Sequence, residues 1–422
     1  MGPDQHAQLD GFSLFLPFPS RVAVVLLAGF WGWGANLQYL QQNNIVRRPL
    51  HLPFRALGQA KTNSAQDLLA LIRYHTHKTP NQRPPHVTAY HFAGLLTFPL
   101  ILSLLIFWPV THGSREWVET VDYIPQAYLF IFFVLILFPF NRLSRSGRRR
   151  FLATLRRISI GGLAEAQDGK FGDILLADAL TSYAKVIADL VVTFCMFFSS
   201  DTSSTSKPDR NCGSDWLAPL IIAIPSMIRL RQCLTEYVRV RKTALGNGNS
   251  GGQHLANALK YATAFPVIIL AAKLRNYSPF LLYDISEVTL SRLLCLFTFI
   301  NSSYSFYWDV TKDWDLTLLS ESRNDGDHPF GLRRYRHFTD QHYYTAIAVD
   351  FVIRFSWTSK FLPGFSWLSE KEFGIFLLMF LEVVRRWMWV FLRAEAEWIR
   401  NSRGLAPSDV LLGEYNGKLE AD

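Results

Sequence analysis

Three long stretches of this chain contain no lysine, arginine, aspartate or glutamate: Val22–Leu40, Tyr90–Val110 and Tyr123–Phe140. Each is close to the run of about 20 apolar residues that an α-helix needs to cross the hydrocarbon core of a bilayer. The whole chain is 49% hydrophobic and 18% charged, whereas an average soluble protein is about 25% charged. The sequence therefore predicts an all-α polytopic membrane protein.

Six further apolar segments follow, and each carries at least one ionisable residue inside it or at its edge. They are Ile174–Phe198, Trp216–Leu234, Leu255–Ala272, Val288–Trp308, Tyr343–Phe361 and Phe373–Phe391. Together with the uncharged stretches they predict nine transmembrane helices. A tenth would require Phe151–Leu163, which contains two arginines, to enter the bilayer. The prediction is therefore nine to ten transmembrane helices.

Basic loops give the predicted orientation. The cluster between Arg229 and Lys242, the 312–342 loop and the tail after Arg393 alternate with basic-poor loops, which places the basic group in the cytosol. The C-terminus then faces the cytosol, and nine spans put the N-terminus in the lumen. We expect a short N-terminal tail, a transmembrane region with basic loops, a second transmembrane domain and a cytosolic tail, at 1–21, 22–164, 165–400 and 401–422.

Motifs for catalysis and for metal or nucleotide binding are weak. The four cysteines are scattered with no CxxC pair, so neither a disulfide framework nor a zinc site is predicted. The polar loops 201–214 and 312–342 contain no nucleophile elbow, no HExxH and no metal-spaced carboxylates. The run Gly246–Gly251 fits GxGxxG, but no strand precedes it and a flexible loop is predicted. We expect no enzyme, no metal and no cofactor.

Charged residues within the apolar segments are the informative feature, because each costs roughly 2.5–3.5 kcal/mol near the bilayer centre. Asp178, Ser182, Lys185 and Asp189 fall at helical spacing and form one polar stripe on the fourth segment. Such a stripe must face protein or water.

The later segments carry similar groups. Asp350 and Arg354 are i, i+4 neighbours, with Trp357 one turn further, and Glu382 precedes Arg385 and Arg386 by three and four residues. Counting the candidates gives six cations against five acids: Lys185, Arg229, Lys260, Arg354, Arg385 and Arg386 against Asp178, Asp189, Asp309, Asp350 and Glu382.

Two interpretations fit these charges. They can be structural ion pairs together with side chains that reach the interface from helix ends. Alternatively, the surplus positive charge binds a small oxyanion, since guanidinium forks match phosphate geometry. Adjacent Arg385 and Arg386 cannot both be neutralised by Glu382, which favours the anion.

Two longer runs, Tyr304–Leu316 and Glu382–Glu395, resemble the signature of the EXS-domain family. That family includes SPX–EXS phosphate exporters and a short Golgi form without SPX, the fungal ER-retention-defective protein. Shorter matches lie at 176–182, at Arg229 with Gln232–Leu234, at 257–261 and at 350–357, so that the resemblance covers about 165–400.

The resemblance implies a phosphate path enclosed by the C-terminal six helices, in an EXS-type bundle, and ten spans with both ends cytosolic. It implies phosphate contacts from Arg229, Lys260, Tyr261, Arg354, Arg385 and Arg386. It implies orienting or gating roles for Asp178, Ser182, Asp309, Asp350, Trp357 and Glu382.

Two departures from the family pattern lie at the cytosolic edge. Asp315 stands where WDxxxDWG has its glycine, and Glu395-Ala-Glu-Trp398 replaces E-N-E-H. About twenty residues precede the first predicted span, so no SPX domain is expected and the chain resembles the short Golgi form.

For that form the implied function is movement of inorganic phosphate from the Golgi lumen to the cytosol, which supports glycosylation and retention of resident proteins. The competing interpretation is a non-transporting membrane adaptor that recycles Golgi glycosyltransferases. The partners implied are phosphate, the lipid bilayer, a second copy through the uncharged spans, and a vesicle-coat adaptor or glycosyltransferases. Nucleic acid is not expected.

Overall fold

Every regular element in the described part of the chain is a helix. The computed structural model describes residues 11–42, 84–111, 115–138, 145–161, 170–198, 205, 208–210, 214–243, 251–277, 286–326 and 328–402. The α-helices in these ranges are α1 Gly11–Phe15, α2 Phe18–Gln42, α3 Pro85–Val110, α4 Arg115–Val121, α5 Tyr123–Leu137, α6 Arg145–Arg156, α7 Lys170–Ser182, α8 Ala184–Phe198, α9 Leu217–Thr243, α10 Gly252–Ala262, α11 Ala264–Arg275, α12 Glu287–Trp308, α13 Asp340–Arg354, α14 Trp367–Glu370 and α15 Glu372–Ser402. Residues 246–250 of the predicted glycine loop and the tail from 403 lie outside these ranges.

Three helical segments of the described chain are long and apolar enough to cross a membrane: Pro85–Val110, Leu217–Lys242 and Gly252–Arg275. The pair α7 and α8, bent by 61° at Tyr183, adds a fourth if it counts as one broken span. Length and composition alone therefore do not confirm nine to ten transmembrane helices. Polar side chains lower the hydropathy of several other long helices, α15 among them.

The segment predicted as one span at Tyr343–Phe361 is divided. Helix α13 ends at Arg354, and a 3₁₀-helix follows at Ser356–Phe361. Trp357 therefore lies on the 3₁₀-helix and does not continue the helical face of Asp350 and Arg354. The prediction of one continuous helix here was wrong.

Helix α2 packs against both the N-terminal and the C-terminal helices, with α3 and α5 on one side and α8 and α15 on the other. Two glycines permit the close approach of α2 to α15 and to Tyr183, the residue between α7 and α8. A Cβ atom on Gly32 would lie 2.6 Å from the ring of Trp387, and one on Gly29 would collide with the hydroxyl of Tyr183. Small residues at helix interfaces are the usual means of close packing in membranes.

Helix α15 has 31 residues, which corresponds to about 46 Å. Glu372 at its start contacts Arg21 at the beginning of α2, and Arg385 contacts Asp350 of α13. Glu395, towards its end, contacts Arg333 of the segment between α12 and α13. One helix thus connects three layers of ion pairs, at the two ends and in the middle of the bundle.

Cys195, on α8, is disulfide-bonded, whereas Cys233 and Cys295 are free. The prediction that the scattered cysteines encode no disulfide is therefore wrong at Cys195. Disulfides persist in oxidising compartments.

Candidate anion-binding site

The middle of the bundle contains a largely buried network of ion pairs and hydrogen bonds, which we call the central cluster: Asp178, Ser182, Arg229, Lys260, Tyr261, Asp309, Asp313, Asp350, Arg354, Glu382, Arg385 and Arg386. Arg385 of α15 lies at its core. Arg385 Nη1 donates to Asp350 at 2.6 Å, while Nε and Nη2 donate to the two oxygens of Glu382 at 2.9 and 2.6 Å. Its guanidinium is therefore fully used by carboxylates of the protein.

Asp309 connects three helices. It follows α12 directly, at the start of a π-helical turn, Asp309–Asp313; such turns occur frequently at functional sites. Lys260 of α10 donates to it at 2.8 Å, Arg354 of α13 forms a short ion pair with it, and Arg385 lies 3.5 Å away. Asp309 is fully buried, and these cations compensate its charge.

Asp178, Arg229 and Tyr261 form a buried triangle between α7, α9 and α10. Arg229 Nε lies 2.7 Å from Asp178 Oδ1 and donates to the Tyr261 hydroxyl at 3.0 Å. That hydroxyl donates to Asp178 Oδ1 at 2.6 Å, and Arg229 Nη1 donates to Gln232 Oε1 at 2.7 Å. The guanidinium also lies 4.8 Å above the Tyr261 ring, which adds a cation–π contact.

Arg386 has different surroundings from its neighbour Arg385. Its Nε donates to Ser182 at 2.9 Å and its Nη2 donates to Thr181 at 3.2 Å. Its Nη1 is buried and has no hydrogen-bond partner in the described part of the chain. Within the described ranges no carboxylate lies within the 4.0 Å ion-pair distance of Arg386. It is thus a 5% exposed cation with a donor still available.

Ser182 couples Arg386 to the rest of the central cluster. Its hydroxyl accepts from Arg386 and donates to Glu382 Oε1 at 2.7 Å. The Arg386 guanidinium lies 4.7 Å from the centroid of the Trp389 ring. Hydroxyls and an aromatic face fix the position of this guanidinium without neutralising its charge.

Most of the predicted site residues therefore meet, but three candidates lie elsewhere. Lys185 and Asp189 pair with each other at 3.3 Å on α8, near Arg210, rather than with the central cluster. Trp357 has a buried indole N–H without a hydrogen-bond partner, and its ring contacts Phe361. A gating role for Trp357 stays a prediction.

Three polar residues of the site were missed as candidates. Asp313 lies 3.3 Å from Lys260. The uncharged side chains of Thr181 and Gln232 accept hydrogen bonds from Arg386 and Arg229, respectively. Asp313 lies four residues after Asp309 within the WDxxxDW run, which was the available signal.

Asp313 also changes the charge count. The five cations of the central cluster meet five carboxylates once Asp313 is included and the Lys185–Asp189 pair is left out. The case for an anion therefore rests on how the charges are distributed, because Arg386 alone among the five cations is held by neutral groups. The roles of these residues towards an anion remain a prediction.

Comparison with known proteins and protein families assigns this chain to one family. The EXS family matches residues 16–399. Protein ERD1 homolog 1 of Schizosaccharomyces pombe is 34% identical over 393 residues, 92% of this chain and 92% of that protein. Protein ERD1 of Saccharomyces cerevisiae is 24% identical over 398 residues, which covers 91% and 94%. Solute carrier family 53 member 1 of Homo sapiens is 28% identical over 341 residues, 76% of this chain and 45% of that protein.

The match includes the N-terminal helices α2, α3 and α5 as well as the helices that form the central cluster. It agrees with the packing, in which α2 contacts α15 along its glycine-containing face. Because the family match covers nearly the whole chain, and a relative above 30% identity covers 92% of it, this protein belongs to the EXS family.

Proposed function

We propose that this protein transports inorganic phosphate across the Golgi membrane, from the lumen to the cytosol. Removal of lumenal phosphate would support glycosylation and the retention of resident proteins. The proposal includes nine to ten spans, a 165–400 transmembrane domain that encloses the path, and no catalytic step. One of the similar proteins is named a solute carrier, which supports transport as the class of activity.

Arg386 is the observation that supports this function most directly. A buried guanidinium costs several kcal/mol unless it is paired, yet Nη1 of Arg386 faces no acceptor among the residues that the structure describes. A phosphate oxygen at Nη1 would supply the missing acceptor and charge. Ser182 and Thr181 hold the other two donors in place, so the fork is oriented before the anion arrives.

Neighbouring groups of the central cluster suit a passing anion. Lys260, Arg354 and Arg229 lie on three other helices and are each held by carboxylates. A phosphate that moves past them can exchange with those carboxylates one hydrogen bond at a time. Conduction requires that the anion is not held too tightly at any one position, and this stepwise exchange avoids such tight binding.

Phosphate uptake into sealed lipid vesicles tests the proposal. Purified full-length protein is reconstituted, and radiolabelled inorganic phosphate uptake is compared with that of protein-free vesicles. We expect uptake by the wild type and a loss of about ten- to a hundredfold for Arg386→Gln, because a hydrogen bond to a charged group is lost. Arg323→Gln, an exposed arginine outside the central cluster, is the matched control and should transport normally.

Competition by sulfate tests the selectivity of uptake for phosphate. An excess of unlabelled phosphate should abolish labelled uptake, and sulfate should compete less well if the site recognises a protonated oxyanion through Ser182 and Glu382. Wild-type vesicles that take up no more phosphate than empty vesicles would contradict transport and favour the membrane-adaptor alternative.

A further inference from the structure

A second charged group lies at the end of the bundle where α15 begins, and we call it the Glu372 mouth: Arg21, Lys185, Asp189, Arg210 and Glu372. None of these residues belongs to the central cluster. Among the described residues of the mouth, three cations face two carboxylates, which gives these side chains a net charge of one positive. An anion that approaches this end of the bundle is therefore attracted.

Arg210 and Glu372 form the main contact of the mouth. Arg210 Nη1 donates to Glu372 Oε1 at 3.0 Å and Nη2 donates to Oε2 at 3.1 Å. Two parallel bonds from one guanidinium to two oxygens are the geometry that arginine also uses for phosphate. The carboxylate of Glu372 thus occupies a fork that fits a phosphate equally well.

Arg21 is the fixed part of the mouth. Its Nε donates to the carbonyl of Leu16 at 2.8 Å, and Nη2 donates to the hydroxyl of Ser13 at 2.7 Å. Nη1 donates to Glu372 Oε2 at 3.0 Å. Arg21 is 3% exposed, so its charge stays in place whether or not Glu372 remains bound to it.

The space at the mouth is small. Phe18, Met379 and the charged side chains Arg21, Arg210 and Glu372 line a cavity of about 10 Å³, which is roughly enough for one water molecule. A phosphate cannot occupy it beside Glu372. An anion can enter only where the Glu372 carboxylate moves out of the arginine fork.

The mouth and the central cluster lie at separate positions along α15, and Met379, Val186 and Val22 form an apolar cluster beside the intervening turns. Glu372 and Glu382 are ten residues apart on α15, a rise of about 15 Å. Lys185 and Asp189 of α8 are separated from Ser182 of α7 by the 61° bend, and they pair with each other. The side chain of Lys185 is 42% exposed, so its charge is accessible to an anion at the mouth.

We propose that the Glu372 mouth is a second oxyanion site, in which the arginine fork holds the Glu372 carboxylate until a phosphate displaces it. This rests on the proposed function, since the displaced carboxylate matters only if an anion passes. Glu372 acts as an internal competitor for phosphate at the entrance. The end of α8 that carries the disulfide-bonded Cys195 lies beyond Asp189, which assigns this entrance to the lumenal side.

Glu372→Gln tests the competition, because glutamine keeps the size of the side chain and removes the charge that competes with phosphate. Uptake is measured in vesicles of determined orientation, with inorganic phosphate varied on one side at a time. We expect the half-saturating phosphate concentration at the Glu372 side to fall about three- to tenfold. It should not change at the opposite side. Glu370→Gln, an exposed acid two residues away, is the control and should match the wild type on both sides.

Arg210→Gln provides the opposite change and an independent variant if Glu372→Gln fails to reach the membrane. It removes the fork, so the half-saturating concentration at the same side should rise by a similar factor. The mouth site alone is excluded if the wild type takes up phosphate but the half-saturating phosphate concentration of these variants is unchanged. It is also excluded if that concentration changes equally on both sides of the membrane. Absence of uptake by the wild type would overturn the proposed function and this site with it.

Discussion

Arg386 Nε donates a 2.9 Å hydrogen bond to the hydroxyl of Ser182, which joins two residues 204 positions apart in the chain. The contact ties α15 to the end of α7, next to the 61° bend that leads into α8. It leaves the positive charge of Arg386 without a carboxylate partner in the described part of the bundle. Arg385, one residue earlier, is held by Asp350 and Glu382, and the predictions below begin from this contrast.

Arg385→Gln should reduce stability, whereas Arg386→Gln should reduce transport. Loss of Arg385 leaves Asp350 with only Arg354 and Glu382 with only the Ser182 hydroxyl, which costs about 3–5 kcal/mol when a buried pair is broken. Thermal unfolding of the detergent-purified variants measures the difference. Equal melting temperatures for the two variants would contradict the separate roles.

The double variant Asp350→Asn/Arg354→Gln should reach the membrane at normal abundance but lose most phosphate uptake. Asp309 keeps Lys260 and Arg385 as neighbours in this variant, so its buried charge stays compensated. The fork of Arg354 is gone, and with it a donor set suited to phosphate. Uptake is measured against membrane abundance, and normal values for both would remove Arg354 from the path.

Asp315 is predicted to be a strained position. Its φ is +53°, a left-handed conformation that costs a residue with a Cβ atom about 1–2 kcal/mol and that aspartate tolerates better than most. We expect Asp315→Gly, the residue of the resembled family, to be at least as stable as the wild type. Asp315→Val should be less stable by about 1–2 kcal/mol, and thermal unfolding checks both. A valine variant as stable as the glycine variant would exclude strain at this residue.

Glu395→Gln should loosen the segment between α12 and α13. Glu395 is fully buried, pairs with Arg333 at 2.7 Å, and accepts from the His337 amide and the Tyr343 hydroxyl. Without its charge the buried Arg333 is uncompensated, which costs about 3 kcal/mol or more. We expect faster limited proteolysis within 314–338, while Glu321→Gln, an exposed control, should digest as the wild type does.

Glu321→Cys and Glu370→Cys should be labelled from opposite sides of the membrane. Glu321 lies near the Arg333 end of the bundle and Glu370 lies next to the Glu372 mouth, at the two ends of the 31-residue α15. In sealed membrane vesicles with the cytosolic face outward, an impermeant maleimide should label Glu321→Cys directly and Glu370→Cys only after detergent. Wild-type protein measures the background from its own cysteines. The reverse pattern would invert the proposed orientation.

Local sequence was enough to locate most of the site. Asp178, Lys260, Asp309 and Arg354 are charges in apolar segments, and the cost of burying them already required partners or a ligand. The end of α13 at Arg354 was not predicted, because the apolar run continues to Phe361 and hydropathy does not register where helical hydrogen bonding stops. Asp313 was missed because it lies past the end of α12, at the edge of the span.

The sequence by itself determined that the chain is helical and built for a membrane, because apolar runs and their periodicity depend only on residue order. It also indicated that Asp178, Lys260, Asp350 and the adjacent Arg385 and Arg386 are buried, as the structure shows. The tertiary structure alone decided that, among the described residues, Arg385 has carboxylates within ion-pair distance and Arg386 has none, although the two are adjacent and chemically identical. The partners of Arg385 and Arg386 come from α13 and α7, 35 and 204 residues away in the chain. Whether an ion pair forms depends on an ångström or two in the separation of the two groups, and helix packing sets that separation.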